Sequence, residues 1–415
     1  MKLLKVDTID EAREKLLQRA LSWRLKTETI PLDEAALPSP ACILAEDVYA
    51  SSDIPSFRRS TVDGYAVVAS DTAAAGEAIP VFLKQAGSVS MGRSASFSIR
   101  SGECAYVPTG GMLPGGADAV VMVEYTESAG DNIMVYEAAA PGAGMAEAGE
   151  DIKKGELLLR RGKRIRAQEA GALAAAGVTR IPVFAPLALA IISTGDELVP
   201  PGQEPLPGEV RDINSFTLSA LAAGSGYRVI SCRTLPDSEE QLGEALGEAM
   251  ASCDVAIISG GSSQSEKDLG VSVINRAAKP GVFTHGLALK PGKPTILGWD
   301  DESKTLCAGL PGHPVSAMMV FELLFGWLAE KLFDRTPALP LPARTSCNIP
   351  GSPGKSVCQP VILRCEEGGY LAEPVFGKSG MITTLTRADG YIVIDLNREG
   401  LRKGESVLVH LFRAT

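Results

Sequence analysis

Three short segments of the 415-residue chain combine glycines with hydroxyls: Ser193-Thr194-Gly195-Asp196-Glu197, Ser259-Gly260-Gly261-Ser262-Ser263 and Gly309-Leu310-Pro311-Gly312-His313-Pro314-Val315-Ser316. Glycine lets backbone N–H groups approach a ligand, and serine and threonine hydroxyls can bond phosphate oxygens. Each segment alone reads equally as an ordinary strand-to-helix turn; the three together describe an anion pocket. The third runs into a helix, whose exposed N–H groups favour a phosphate or oxyanion. Beside them, Leu289-Lys290-Pro291-Gly292-Lys293-Pro294 sets Lys290 and Lys293 three residues apart on a proline-stiffened stretch, aimed at one site or solvated as a surface pair. Glu197, Asp237 and Asp268 are carboxylates in the same set of loops. They read either as solvated acids or as the hard oxygen ligands that Mg²⁺ takes beside a phosphate.

A second group of candidates lies nearer the N-terminus. In Ser60-Thr61-Val62-Asp63-Gly64-Tyr65-Ala66-Val67 the Asp63 carboxylate precedes a glycine, a pattern that an Asx-turn also explains. Pro108-Thr109-Gly110-Gly111-Met112-Leu113-Pro114-Gly115-Gly116-Ala117-Asp118 is denser in glycine than a hairpin needs and could cradle a ligand from a second side.

The elements that must position these residues follow from periodicity. Thr8 and Glu11 have capping-box spacing, and Ala12, Leu16, Leu17, Ala20 and Leu21 recur at helical intervals, so an amphipathic helix opens the chain. A short helix follows Pro31. Residues 54–143 change to short β-prone runs such as 79–83 and 119–123 between glycine clusters and read as an inserted β domain. Residues 167–176 read as a helix stopped by Gly177. From about 186 to 333 strand and helix patterns alternate: strand 187–192, a helix over 215–223 capped by Asn214, strand 227–232, a helix boxed by Ser238 and Gln241, strands 254–258 and 305–308, and a long helix from Pro314. That alternation predicts a mainly parallel, doubly wound sheet with helices on both faces, and ligands of such sheets lie beyond the strands' carboxyl ends. Short strands over 391–394 and 406–410 predict a final β domain. The chain thus reads as multidomain α/β plus β: a discontinuous helical domain (1–53 and 144–184), the inserted β domain (54–143), the α/β domain (185–335) and a C-terminal β domain (336–415).

Composition narrows the function. Forty basic against fifty acidic residues give a net charge of −10, so no basic field holds nucleic acid or an anionic membrane, and any anionic ligand must be held locally. The eight cysteines contain no C-x-x-C pair, and three histidines support no histidine-rich metal centre. Reduced thiols and the lack of a long apolar run predict a cytoplasmic protein without a membrane segment.

At these residues the chain resembles the MoeA family, the molybdopterin molybdenumtransferases, to which the E domain of gephyrin belongs. The segments that carry the resemblance are Thr61-Val62-Asp63-Gly64-Tyr65-Ala66-Val67, Pro108-Thr109-Gly110, Gly149-Glu150-Asp151-Ile152, Ser193-Thr194-Gly195-Asp196-Glu197-Leu198, Ser259-Gly260-Gly261-Ser262, Lys290-Pro291-Gly292-Lys293-Pro294 and Gly309-Leu310-Pro311-Gly312. The resemblance implies that the α/β domain is MogA-like, that the C-terminal domain is β barrel-like, and that the protein is an elongated homodimer. In that dimer Asp63 and Thr109 of one chain would face the α/β domain of the other. The implied reaction cleaves adenylylated molybdopterin with Mg²⁺ and molybdate, releasing AMP and molybdenum cofactor. A MogA-like adenylyltransferase would act upstream and molybdoenzymes downstream. Asp63, Glu197, Asp268, Lys290 and Lys293 would be catalytic, with Glu197, Asp237 and Asp268 holding the metal. Thr109, Gly110, Asp151, Ser193, Thr194, Gly195, Gly260, Gly261, Ser262, Pro311, Gly312, Ser316 and Ser379 would bind substrate. The alternatives are a non-catalytic molybdopterin-binding or storage partner and a molybdopterin adenylyltransferase.

Departures from the family pattern touch this site. His313 stands where Pro-Gly-Asn-Pro is usual, Gln264 lies in a stretch expected to be rich in valine and glycine, and Gln359 lies near an expected arginine. His285-Gly286 occupies a position where some members carry Trp-Lys.

Overall fold

A computed structural model describes residues 6–37, 41–260 and 266–412, with backbone alone for 266–268. The chain divides into two compact units, one of Asp47–Arg160 with Gln168–Thr179, the other of Met1–Glu46, Arg161–Ala167 and Arg180–Thr415. Helix α1 (Ile9–Ala20) starts at the expected capping box: Thr8 Oγ1 accepts the Glu11 N–H and the Glu11 carboxylate accepts the Thr8 N–H at 2.8 Å. Its buried stripe is Ala12, Leu16 and Ala20; Leu21, placed in that stripe by periodicity, is the C-cap and is exposed. The short helix α2 (Leu32–Ala35) follows Pro31 as predicted.

The unit around Asp47–Arg160 is built on one six-stranded sheet. Its strands are β1 (Gly64–Val67), β2 (Val81–Ser88), β3 (Glu103–Val107), β4 (Ala119–Met122), β5 (Thr126–Ala129) and β6 (Asn132–Val135), in the order β4-β1-β3-β2-β6-β5. All neighbours are antiparallel except β2 and β3. Both faces are covered, which is why 119–121 is apolar without alternation: Ala119 and Val121 enter one core cluster and Val120 the other. Helix α3 (Ala167–Ala175) ends just before Gly177, whose φ of 71° suits a glycine helix terminator.

The larger unit carries the predicted parallel sheet. Strands β7 (Leu187–Thr194), β8 (Tyr227–Leu235), β9 (Val255–Gly260), β10 (Pro280–His285), β12 (Ile296–Asp300) and β13 (Leu306–Pro311) lie in the order β8-β7-β9-β13-β12-β10. The first four are parallel; β12 and β10 are antiparallel additions at one edge. Leu187, Leu189 and Ile191 of β7 pack with Leu218 and Ala222 of α4 (Asn214–Ser225) and with the helix that starts at α7 (Pro314–Val320). On the opposite face, Ala190 and Ile192 meet Leu242 and Leu246 of α5 (Glu239–Met250) and Val273 and Ile274 of α6 (Glu266–Ala277). Two buried faces explain the unbroken apolar run of β7.

Two local expectations need correction. Ser193, Thr194, Ser259, Gly260 and the Gly309-Leu310-Pro311 stretch, read as loop, are the last residues of β7, β9 and β13, because ladder pairing continues through them. Asn214, read as the cap of α4, is its first residue; the Ser215 N–H is accepted instead by Asp212 at 3.1 Å.

Strands β14 (Leu341–Thr345), β15 (Ser356–Glu366), β16 (Gly369–Pro374), β17 (Gly390–Ile394) and β18 (Ser406–Leu411) close into a five-stranded barrel, β15 pairing with both β16 and β17. Between β10 and β12, the two-residue strand β11 (Leu289–Lys290) adds to β15 in parallel, with Lys290 opposite Val357. This ladder brings the two-lysine segment against the barrel. Among the described residues no helix is long and apolar enough to cross a membrane.

Candidate functional site

The β11–β15 ladder creates one wall of a cavity of about 920 Å³, and the end of β13 with the start of α7 creates another. Lys290 and Lys293 line it, as do Lys355 at the start of β15 and Lys378 in the loop after β16; no carboxylate is among its described lining residues. Four lysines around one concavity make it locally positive in a chain whose net charge is −10. Pro311 and Ser316 line the same space, together with Ser379. Cys358 also faces it, and burial pushes that thiol up to about 12, so it is a neutral wall.

Gln359 contributes nothing comparable to the arginine expected near it. Its Nε2 donates to Pro360 O at 3.0 Å and Val375 O at 2.9 Å, so its amide is committed to the barrel backbone. Lys355 and Lys378 bring the positive charge instead. Neither was singled out as a cation from sequence, because the parallel pairing that brings Lys355 near Lys290 joins segments far apart in the chain.

A second, smaller cavity of about 290 Å³ lies over the carboxyl ends of β7 and β9 and includes Ser193, Thr194, Glu197, Asp212, Asn214, Ser259, Gly260 and Gly312. His313 lines both cavities and so stands in the wall between them. Thr194 and Gly260 are directly paired across the ladder, and a Cβ at position 260 would come within 2.3 Å of Thr194 O. Only glycine permits that approach. The Glu197 carboxylate folds back to within 2.7 Å of where a Cβ at Gly195 would lie.

Asp212 and Asn214 are two polar residues of this cavity to which the sequence reading gave no site role. Asp212, 4% exposed, accepts the hydroxyls of Ser193 (3.2 Å), Thr234 (3.0 Å) and Ser215, besides the Ser215 N–H. It orients Ser193 and fixes the start of α4. Asn214 donates through Nδ2 to Ser259 Oγ at 2.9 Å and to the Gly312 carbonyl at 2.8 Å, linking two strand ends. A carbonyl accepts only, so the amide orientation is fixed and Oδ1 is left buried without a partner, an acceptor suited to a ligand N–H. The available signal was two polar residues at the mouth of an apolar α/β pattern.

Asp237 follows β8 and accepts the Thr194 hydroxyl at 2.6 Å, while its backbone N–H is taken by Asp196 at 3.1 Å. It lines a crevice of about 40 Å³ beside Thr194 and Gly260. Among the described residues no three His, Cys, Asp or Glu side chains converge as a metal cage. Gly261, Ser262 and Gln264 lie outside the described residues, as does the Asp268 side chain.

In the other unit, Asp63 Oδ1 accepts the Thr109 N–H at 2.7 Å and its hydroxyl at 3.1 Å, so the carboxylate holds the glycine-dense loop rather than its own turn. Gly110 has a φ of 83° and donates its N–H to Ser60 O at 2.8 Å. Asp151 is exposed, with its N–H on the Ile54 carbonyl.

Residues 7–177 match the family described as MoeA N-terminal region (domain I and II), residues 190–330 the probable molybdopterin binding domain, and residues 342–412 the MoeA C-terminal region (domain IV). A molybdopterin molybdenumtransferase of Haemophilus influenzae is 31% identical over 411 residues, covering 98% of both chains. A molybdopterin biosynthesis MoeA protein of Pyrococcus horikoshii superposes with a TM-score of 0.78 at 37% identity, over 99% of this chain and 100% of its own. A second such structure from that organism gives 0.82 at 31%, over 98% and 100%. Matches along nearly the whole length, in sequence and in fold, establish that the chain belongs to the MoeA family, the transferases of molybdenum cofactor biosynthesis.

Proposed function

We propose that this protein inserts molybdate into adenylylated molybdopterin, cleaving the phosphoanhydride and releasing AMP and molybdenum cofactor. The observation that carries the reading is the four-lysine cavity free of described carboxylates, adjoining a hydroxyl-lined cavity at the carboxyl ends of a parallel sheet. Lys290, Lys293, Lys355 and Lys378 would hold the tetrahedral dianion, and Ser316 and Ser379 would add hydroxyl contacts. Ser193, Thr194, Ser259 and the backbone at Gly260 and Gly312 would bind the pterin and phosphate groups, with Asn214 Oδ1 accepting from a pterin N–H. Charge that develops on the cleaved phosphate meets fixed positive groups here, which is where electrostatic preorganisation lowers a barrier.

Mg²⁺ commonly takes one or two carboxylates and completes its shell with waters and substrate phosphates. Glu197 in the hydroxyl cavity and Asp237, held by Thr194 in the adjoining crevice, would supply such carboxylates, with Asp268 the third proposed for the ion. Bound there, Mg²⁺ would polarise the phosphoryl oxygen and neutralise its charge. The active form in this reading is a homodimer, the second copy supplying Asp63, Thr109, Gly110 and Asp151 to the substrate. An adenylyltransferase would supply the substrate, and molybdoenzymes would consume the product.

The test is product identity. Incubation with adenylylated molybdopterin, molybdate and Mg²⁺ should yield a cofactor that activates a molybdenum-free molybdoenzyme. Unchanged substrate bound to the protein would overturn the reading in favour of a binding or storage partner.

A further inference from the structure

Phe376 and Met381 line the four-lysine cavity with 62% and 53% of their surfaces exposed, and Val375 lines it beside them. Two large apolar side chains left open to water beside fixed positive charge suit a ligand that has both an apolar face and an anion. Volume points the same way. At about 920 Å³ the cavity lies in the range that encloses a drug-sized organic molecule, and one tetrahedral oxyanion fills a small part of it.

The backbone that carries the Phe376 ring is pinned on both sides. Val375 donates its N–H to Pro360 O at 2.9 Å, and its carbonyl accepts Gln359 Nε2 at 2.9 Å. Gly377 lies so close to Thr384 that a Cβ there would come within 2.4 Å of Thr384 Oγ1. The Lys378 carbonyl accepts the Met381 N–H at 2.9 Å and closes the turn that carries the second apolar side chain. An exposed ring on a fixed backbone is preorganised, so little ordering entropy is lost when a ligand lies against it.

We infer that Phe376, with Met381, is the platform on which the adenine ring of the adenylylated substrate lies, with the nucleotide phosphate turned toward the lysines. The inference rests on the transferase reading above and adds a specificity-determining residue to it. The two cavities meet at His313, so a substrate whose two heterocycles are joined through a phosphoanhydride can span both. Its pterin has hydrogen-bonding partners over Ser193, Asn214 and Ser259, and its nucleoside has an apolar face at Phe376. Gln359 carries the one side-chain amide among the described residues lining the large cavity, and its Nε2 is committed to backbone carbonyls. The base is therefore held by its face rather than read at its edge, and stacking of this kind tolerates any purine.

Calorimetric titration of the full-length protein with AMP, GMP and inorganic phosphate tests this. Wild type should bind AMP about tenfold or more tighter than phosphate, and GMP within about threefold of AMP. Phe376→Ala, at an exposed position, should fold normally, bind AMP about tenfold more weakly and bind phosphate unchanged. Phe376→Trp should keep the AMP affinity, and AMP should quench the added indole fluorescence above the background of Trp23, Trp299 and Trp327. Wild-type AMP affinity in Phe376→Ala, equal losses for AMP and phosphate, or an unquenched indole in Phe376→Trp would overturn the platform and leave the transferase reading standing. Wild-type protein that binds AMP no tighter than phosphate would do the same. Failure of wild type to release AMP from adenylylated molybdopterin with molybdate would overturn the transferase reading itself.

Discussion

Asp63 Oδ1 accepts two hydrogen bonds from Thr109, one from its N–H at 2.7 Å and one from its hydroxyl at 3.1 Å, across 46 residues of sequence. Both residues are exposed, so water competes for these bonds and their loss costs little stability. Asp63→Ala should therefore shift urea unfolding by less than about 1 kcal/mol, yet abolish molybdate-dependent turnover, because the Thr109–Gly110 loop loses its anchor. Wild-type turnover in a folded Asp63→Ala variant would remove the pair from the reaction.

Asp212 differs because it is buried and receives three hydroxyls and an amide. Asp212→Ala strands those donors and should cost about 3 kcal/mol in chemical denaturation. A loss below about 1 kcal/mol would show that the hydroxyls find other acceptors.

Gly260 is constrained by close approach rather than by its dihedral angles. Gly260→Ala brings a methyl to 2.1 Å from Thr194 Cγ2 and 2.3 Å from Thr194 O, and β7 and β9 must part to admit it. A loss of about 3 kcal/mol or more, or failure to express in soluble form, is the expected result. Wild-type thermal stability would mean that the strand ends yield easily.

The lysines of the large cavity should act through charge. Lys355→Ala and Lys378→Ala should each weaken molybdate binding about three- to tenfold, more so at low ionic strength, while leaving pterin binding unchanged. Equal losses for molybdate and pterin would assign these lysines to general packing instead.

Thiol reactivity follows from burial. Cys104, Cys307 and Cys358 have thiols pushed up to about 12, above the ordinary cysteine range, so they remain protonated at pH 8. Mass spectrometry after a short iodoacetamide treatment should find the exposed Cys232 and Cys365 alkylated and these three unmodified. Modification of Cys358 at the rate of Cys232 would contradict its burial in the cavity wall.

Central parallel strands were legible because both of their faces are buried: 187–192 and 255–258 are apolar without interruption, and the Thr8–Glu11 box announced α1. The antiparallel strands β10 and β12 were not, since Pro280, Gly281 and Gly298 break the pattern that marks a strand. At the site, sequence named Lys290, Lys293, Thr194 and Gly260 from their glycine, proline and hydroxyl neighbourhoods, and Ser379 from the family resemblance alone. It missed Lys355 because only the β11–β15 ladder brings that lysine to the cavity. It also gave Asn214 a helix-capping role, whereas its amide is drawn to Gly312 O and Ser259 Oγ across the sheet end. Long-range pairing of short segments leaves no local pattern to read.

The most direct measurement of the central claim is AMP release from adenylylated molybdopterin by the purified protein with Mg²⁺, with and without molybdate. The account predicts release that rises with molybdate and falls in Lys290→Ala and Lys293→Ala. Tight binding of the adenylylated substrate, with no release of AMP at any molybdate concentration, would contradict it.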